Sequence, residues 1–376
     1  MKPILIDLSQ TSIKEFSNLH PVESVIDFYD ELLKELFLIR NPRYKFEKDI
    51  SNDLKIFIDE HNKGRTNVEV GKWFYFPWNK IIAHYLDEPL HLELRTARNK
   101  FLITKEEQEK IYNLSIGIIG LSVGSHSAQT LAMMGIGNKF KLADFDSISG
   151  TNLNRIKYDF LDLNKNKCDL VTHYIYQVNP YAEIIQYRNG VSIENLDEFL
   201  TSDFTLDFLI EEADNLGIKI AARIAAKKFG IPVIMATDNG DNVIIDIERY
   251  DVEKNLQIFN GLLGDFNLEN FKNIAPQDIP KLATKIAGES MIVPRMLNSL
   301  LEVGRSLYSW PQLGNAATMS GGVIAYLVKR IALQEKCKSG KIEVNLDSIF
   351  DPDYFDKSSM DLRKNKFNEF ANKIGL

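Results

Sequence analysis

The sequence predicts an α/β protein whose main domain is a doubly wound, mostly parallel sheet, preceded by a smaller α+β segment. From about residue 111 onward, short apolar runs alternate with helical patterns. A glycine-containing turn follows the first of these runs and opens the first helix. The apolar fraction, 44% of 376 residues, is enough to fill a sizeable core. Because parallel strands need long crossover connections, regular alternation of strand and helix indicates a parallel sheet with helices on both faces.

Residues 1–92 are expected to form an accessory segment that takes part in substrate recognition. The run ESVIDFYDELLKELFLI has apolar residues at three- to four-residue spacing, which predicts a helix. This helix should stop at Arg40, since Pro42 disfavours helix in the residue before it. The stretch GKWFYFPWNKIIAHYL contains two of the three tryptophans. We interpret it as the aromatic core of a small subdomain rather than as a ligand-binding surface.

Residues 93–335 are expected to form the main domain and residues 336–376 a C-terminal extension. The predicted strands of the main domain are SIGIIG, KFKLADFD, AEIIQYR, LDFLIEEAD, PVIMATD and NVIIDIERY. Helices are predicted over about 124–134, 165–177 and 218–229. After about residue 250 the pattern becomes a long connection rich in Asn, Asp and Lys, followed by an apolar helix at 316–336 with a glycine pair near its start. The extension holds one possible strand, KIEVNL.

The composition excludes several classes of protein. A net charge of −7 argues against a nucleic-acid or anionic-membrane surface. No run of 18 apolar residues is present, and Asp7 interrupts the start too early for a secretory signal, so we expect a cytoplasmic protein without membrane spans. Two cysteines, Cys168 and Cys337, and six scattered histidines do not have zinc-ligand spacing, and we expect no zinc.

The turn in LSIGIIGLSVGS lies between a strand and a helix, where backbone N–H groups and the helix N-terminus bind phosphate. Gly120 takes the first place of a G-x-G-x-x-G pattern, Ser122 the second, and Gly124 lies beside the third. The turn alone does not distinguish a phosphate loop from an ordinary strand-helix turn. Asp144, 24 residues after Gly120, is spaced to accept hydrogen bonds from a ribose. Together they predict a Rossmann-like nucleotide site, with NAD, FAD and ATP all still open.

The stretch ADFDSISGTNLNRIK favours phosphate chemistry. After Asp144 and Asp146 it supplies Asn152 and Arg155, and Lys167 follows at the start of the next helix. Cations can hold a polyphosphate and stabilise charge that develops on it, and an asparagine can bind phosphate or ribose oxygens. Asp214, at the end of the fourth strand, lies at the edge of the sheet where ligands bind and can hold Mg²⁺ against phosphate oxygens.

Each candidate also has a structural alternative. Arg155 could pair with surface carboxylates, and Lys165 competes with Lys167 for the same role. Asp214 could cap the helix that begins near residue 218. Arg98 could belong to a solvated basic patch in RTARNK.

These residues resemble the ThiF/MoeB/HesA family, the prokaryotic relatives of ubiquitin-activating enzymes. The resemblance covers about 93–335 and is carried by GLSVGS, by D-x-D-x-x-x-x-x-N-L-N-R, by NKNK followed by QVNP, and by EEADN. The stretches WFYFPW and RTARNKFLITKEEQ also resemble a subgroup often fused to nitroreductase-like domains.

The resemblance implies that ATP and Mg²⁺ bind at the sheet edge and that a substrate carboxylate attacks the α-phosphate. It assigns the ribose to Asp144, the phosphates to Asn152 and Arg155, and the magnesium to Asp214, and it matches Lys167 to the family's conserved lysine. Arg98 matches an arginine that reaches the partner subunit's ATP, which implies a homodimer. No cysteine lies between residues 169 and 336, so we expect an acyl-adenylate without a thioester.

The predicted function is therefore ATP-dependent adenylation of a carboxylate on a peptide, a small protein or a small metabolite. Two alternatives stay open. One is an NAD- or FAD-binding protein associated with redox chemistry. The other is a catalytically silent binding module of the same family.

Overall fold

The computed structural model describes residues 1–47, 49–275 and 278–376. The chain forms two compact units. The first contains Met1–Glu109 and His173–Ala182, and the second contains Lys110–Thr172 and Glu183–Leu376. The domain boundaries expected at 92/93 and 335/336 stay predictions. Within the described residues, no helix is long and apolar enough to cross a membrane.

The first unit holds a four-stranded sheet in the order β1-β3-β4-β2. Its strands are β1 Ile4–Ile6, β2 Ser24–Ile26, β3 Lys72–Phe76 and β4 Ile81–Tyr85. Its helices are α1 Ile13–Leu19, α2 Tyr29–Arg40, α3 Ser51–Asn62 and α4 Glu88–Arg95. Two further helices contribute residues to both units, α5 Lys105–Tyr112 and α7 Lys167–Val178.

The sequence prediction for this unit is correct at two points and wrong at one. Strand β3 buries Trp73, Phe74, Tyr75 and Phe76, so the aromatic core is confirmed. Helix α2 ends at Arg40 as expected. It begins only at Tyr29, however, because Ser24–Ile26 pairs in parallel with β4. The β-branched Val25 and Ile26 suit this strand, and sheet pairing overrides the helical spacing.

The second unit is built on a seven-stranded sheet in the order β11-β10-β9-β8-β5-β6-β7. Its strands are β5 Ser115–Ile119, β6 Lys139–Ala143, β7 Glu183–Tyr187, β8 Phe208–Glu211, β9 Val233–Asn239, β10 Asn242–Glu248 and β11 Gly340–Val344. Strands β5 to β9 are parallel, whereas β10 is antiparallel to both β9 and β11. The mostly parallel α/β sheet is thus confirmed, as is the strand in KIEVNL.

The helices of the second unit agree with the sequence in the sheet region and at the apolar helix expected over 316–336, but differ between these two parts. They are α6 Gly124–Met134, α8 Leu196–Thr201, α9 Leu216–Phe229, α10 Leu268–Lys272, α11 Ile279–Ala287, α12 Pro294–Leu300, α13 Gly314–Ala332, α14 Asp347–Phe350 and α15 Lys357–Ile374. The loose connection expected after residue 250 is wrong, since α10, α11 and α12 form within it. These helices are short, and contacts made by their apolar side chains stabilise them.

The first glycine of the pair in α13 has a packing role. A Cβ atom on Gly321 would lie 2.6 Å from the carbonyl carbon of His126 in α6. Only glycine lets α13 approach α6 this closely. The first turn of α6 is therefore held between β5 and α13.

A buried ion network lies behind the carboxyl end of β8. The guanidinium of Arg223 is fully buried, with nitrogen atoms 2.6 Å from Glu211 Oε2 and 2.6 Å from Glu248 Oε2. Glu211 also accepts a hydrogen bond from the Ala213 N–H at 2.8 Å. Helix α9 is thereby tied to β8 and β10, and the chain that leaves β8 has a fixed path.

Candidate nucleotide-binding site

The turn between β5 and α6 depends on glycine at Gly120. This residue has a φ of +85°, and a Cβ atom there would lie 2.5 Å from the carbonyl oxygen of Glu212. At Gly124, the first residue of α6, a Cβ atom would lie 3.0 Å from Ile118 Cγ2. The glycines thus allow the turn to lie close to the end of β8.

The predicted ribose-binding acid contacts this turn. One carboxylate oxygen of Asp144 accepts the Leu121 N–H at 2.6 Å, and the other accepts the Asp146 N–H at 2.7 Å. Lys167 Nζ lies 2.9 Å from Asp146 Oδ2 and 3.9 Å from Asp144 Oδ2. Burial raises the pKa of Asp144, and the charge of Lys167 opposes this rise. The structure therefore brings Asp144, Asp146 and Lys167 together beside Gly120.

Lys165, the rival of Lys167, faces elsewhere. Its Nζ is 2.9 Å from Asp162 Oδ1, and its side chain is 55% exposed against 6% for Lys167. The geometry favours Lys167 as the lysine of the site.

Asn152 shapes the turn that presents Arg155. Its side-chain oxygen accepts the Ser149 N–H at 3.1 Å, and its carbonyl oxygen accepts the Arg155 N–H at 3.0 Å. Arg155 Nη1 donates to the Thr151 carbonyl at 2.9 Å and to Asn154 Oδ1 at 3.0 Å. A direct contact from Asn152 to phosphate stays a prediction.

Arg155 faces two carboxylates rather than a surface ion pair. Burial lowers the pKa of its guanidinium, while the charges of Asp238 and Asp214 raise it. Its Nε atom is buried and has no hydrogen-bond partner among the described residues. Asp214 is exposed at the end of β8. It does not cap α9, since Asn215 does so by accepting the Ile218 N–H at 3.1 Å.

Some of the predicted site residues line a cavity of about 400 Å³ in the second unit. Ser122, Arg155 and Asp214 come from the predicted set. Gly120, Gly124, Asp144, Asp146, Asn152 and Lys167 are not among its described lining residues, although the turn of Gly120 leads directly to Ser122. The Oγ atom of Ser122 is buried and without a hydrogen-bond partner among the described residues.

Sequence reasoning missed two acids of this cavity. Asp238, at the end of β9, lies 3.3 Å from Ser320 Oγ and 3.4 Å from Gln312 Nε2. Burial raises its pKa to about 6. Glu212 accepts the Ala236 N–H at 2.8 Å, and burial raises its pKa well above the usual range. Both acids stand at strand ends in PVIMATD and EEAD. This signal becomes informative only once the strand order is known.

Arg98 and Cys168 are not among the described residues that line the cavity. Arg98 is exposed in a short turn, Ala97–Asn99, of the first unit, and its role in a partner's site stays a prediction. Cys168 is buried, and burial raises its pKa to about 12, so it is not an activated thiol. Among the described residues, no group of three or more His, Cys, Asp or Glu side chains is arranged to hold a metal ion.

A glycine turn between a parallel strand and a helix, with a strand-end acid beside it, is the arrangement found in Rossmann-like folds. Residues 96–249 match the ThiF family. The chain therefore contains a ThiF family domain, as its sequence motifs predicted.

Three comparisons describe its relatives. The chain is 36% identical to an uncharacterized protein of Mycobacterium tuberculosis over 283 residues, which cover 75% of this chain and 39% of that protein. It is 32% identical to the tRNA threonylcarbamoyladenosine dehydratase of Bacillus subtilis over 140 residues, 37% of this chain and 54% of that enzyme. The E. coli tRNA N6-threonylcarbamoyladenosine dehydratase in complex with AMP matches with a TM-score of 0.46 and 16% identity, over 64% of this chain and 95% of that chain. The chain thus spans about half or less of the length of the two sequence relatives.

Proposed function

We propose that this chain is an ATP-dependent adenylyltransferase. It activates a carboxylate, on a peptide, a small protein or a small metabolite, as an acyl-adenylate, and it does so without a thioester cysteine. One observation carries the proposal: Ser122 Oγ and Arg155 Nε are buried in the wall of one cavity without a hydrogen-bond partner among the described residues. A buried unpaired polar group costs about 1–3 kcal/mol. Two such donors in one wall fit an anionic ligand such as a phosphate.

In the proposed reaction, Asp144 receives the ribose of ATP, and Ser122 and Arg155 face its phosphates. An oxygen of the substrate carboxylate attacks the α-phosphorus. The bond from this phosphorus to the oxygen that bridges to the β-phosphorus breaks, and pyrophosphate leaves with the bonding electrons. The protein acts by positioning and by charge, since Arg155 and Lys167 offset the negative charge that develops.

Asp214 is the proposed magnesium ligand. Mg²⁺ in nucleotide sites is usually bound by one or two carboxylates, with phosphate oxygens and water completing its shell. An exposed Asp214 on the cavity wall fits this donor set. When bound, the ion would neutralise part of the phosphate charge.

Further parts of the proposal rest on the family resemblance. We place Arg98 in the ATP site of a partner subunit, so the active form is a homodimer. The buried thiol of Cys168, with its raised pKa, suits a reaction that ends at the adenylate. On the composition and charge of the sequence, the proposal also includes a cytoplasmic location, no zinc, no nucleic-acid partner and no membrane partner.

Calorimetric titration tests which nucleotide the chain binds. ATP with Mg²⁺ is compared with NAD⁺, NADPH and FAD on the wild type and on Asp214→Ala. We expect ATP to bind, Asp214→Ala to weaken it, and the dinucleotides not to bind. Asp265→Ala is the control, because Asp265 is exposed in the same unit and does not line the cavity. If a dinucleotide bound and ATP did not, the redox alternative would replace the proposal.

Pyrophosphate release tests the chemistry. The full chain with ATP and Mg²⁺ is offered a panel of peptides and small carboxylic acids, and release above the rate without acid is the expected result. ATP binding together with no release for any acid would favour the catalytically silent module.

A further inference from the structure

The cavity of the candidate site is lined by two sets of side chains with different chemistry, which we call its charged end and its apolar end. Ser122, Arg155 and Asp214 line the charged end. The apolar end is lined by side chains from β10, α11, α12, α15 and the connection between α11 and α12, namely Ile244, Ile286, Ile292, Met296, Leu300 and Phe370. The two ends belong to one continuous space of about 400 Å³.

A cavity of about 400 Å³ is too large to be a packing defect. Protein interiors are close-packed, and most of their voids are no larger than a water molecule. Cavities that hold small molecules have volumes of about 300–1,000 Å³, with mostly apolar walls and a few polar groups. The side chains of the wall are also packed in the core, since Ile244 is 1% and Phe370 4% exposed. Water at such a wall has few hydrogen-bond partners, so an apolar group gains free energy by replacing it.

The position of the ribose-binding residues leaves this space free for the second substrate. Asp144, Asp146 and Lys167 are not among the described residues that line the cavity. A nucleoside held at Asp144 therefore brings its phosphates to Ser122 and Arg155 without filling the apolar end. The carboxylate that attacks the phosphate must lie at the same charged end, with the rest of its molecule beyond it.

Taking the proposed adenylation as given, we propose that the apolar end binds the body of the carboxylate substrate. The substrate class is an acid whose aliphatic or aromatic part adjoins its carboxylate, such as a medium-chain or arylalkyl acid. An acid that ends in consecutive glycines would leave this space empty and forgo the free energy of burial.

Acyl-sulfamoyladenosines, stable analogues of an acyl-adenylate, test the substrate class. The dissociation constants of sulfamoyladenosine and of its acetyl, butanoyl, hexanoyl and octanoyl derivatives are measured by calorimetry on the wild-type chain. We expect binding to tighten about fourfold for each methylene added, until the cavity is full. A glycylglycyl derivative should bind no more tightly than the acetyl one.

The other outcomes separate the two proposals. If sulfamoyladenosine binds but acyl length has no effect, the apolar end does not hold the substrate, while the proposed adenylation stands. If no member of the series binds, the proposed adenylation fails and this inference fails with it.

A pair of variants on helix α11 tests whether the effect of acyl-chain length on binding arises in the cavity. Ala287 lines the cavity, so Ala287→Leu adds side-chain volume inside it. We expect this variant to bind sulfamoyladenosine as the wild type does and to lose the gain from longer acyl chains. Lys285→Leu adds the same side chain at an exposed position of that helix and should keep the gain. Full length dependence in Ala287→Leu would overturn the inference.

Discussion

The His126 Nε2 atom lies 2.5 Å from the carbonyl oxygen of Arg155. Because a carbonyl oxygen only accepts, the ring must carry its proton on Nε2. Burial lowers the pKa of His126, so the ring is neutral near pH 7. The contact joins the first turn of α6 to the backbone of Arg155, and so connects the glycine turn with the cation of the candidate site.

Arg155→Ala should reduce turnover by on the order of 10²-fold or more, because the cavity loses the cation that faces the phosphates. Pyrophosphate release with an acid from the panel is the measurement. Lys157→Ala, an exposed lysine two residues away, is the matched control and should behave like the wild type. Equal rates for Arg155→Ala and the wild type would show that Arg155 has no catalytic role.

Lys167→Met should weaken ATP binding, whereas Lys165→Met should not. Lys167 is the buried cation next to Asp144 and Asp146, and its removal leaves two neighbouring carboxylates uncompensated. Lys165 contacts only the surface carboxylate of Asp162 among the described ion pairs. Titration of both variants with ATP and Mg²⁺ decides between the lysines. Equal weakening in both would indicate a general effect of surface charge.

Gly120→Ala should destabilise the second unit by roughly 1–3 kcal/mol or more, since its φ is positive and its Cβ would meet the Glu212 carbonyl. Urea denaturation followed by circular dichroism gives the free energy of unfolding. Gly150→Ala is the control, because nothing lies within 4 Å of a Cβ atom there and its φ is not positive. A similar small effect at both glycines would mean that the β5–α6 turn tolerates a side chain.

Asp238→Asn should raise stability at pH 7.5 by roughly 1–3 kcal/mol in the unliganded protein. The pKa of Asp238 is about 6 in the folded chain and near 3.8 when unfolded. Between these values the folded state binds more protons, so this residue makes the wild type more stable as the pH falls from 6 to 4. The Asp238→Asn variant should lack this gain in stability at lower pH. Thermal unfolding of both proteins from pH 4 to 8 is the test, and parallel curves would contradict the assignment.

The sequence predicts the parts of this chain that local pattern determines. Alternating apolar runs and helices were sufficient for strands β5 to β9 and for the glycine turn that opens α6. The binding of a ribose by Asp144 stays a prediction. Tertiary pairing decides the rest. Ser24–Ile26 has helical spacing but joins β4 as a strand.

The cavity could not be predicted for a related reason. Ile244, Met296 and Phe370 line one space, although up to 126 residues separate them in the chain. Asp238 was missed because a strand-end acid becomes a candidate only when the strand order places it opposite Arg155. Neither fact is a property of local sequence.

The buried ion network of Arg223, Glu211 and Glu248 constrains how this protein can change through evolution. Removing one partner of a buried ion pair costs about 3–5 kcal/mol, whereas replacing the whole group by well-packed apolar residues is often neutral. A chain that loses the network by one substitution at a time therefore passes through an unstable variant. Substitutions at these three positions should be strongly epistatic, and homologues should keep all three charges or have lost them together.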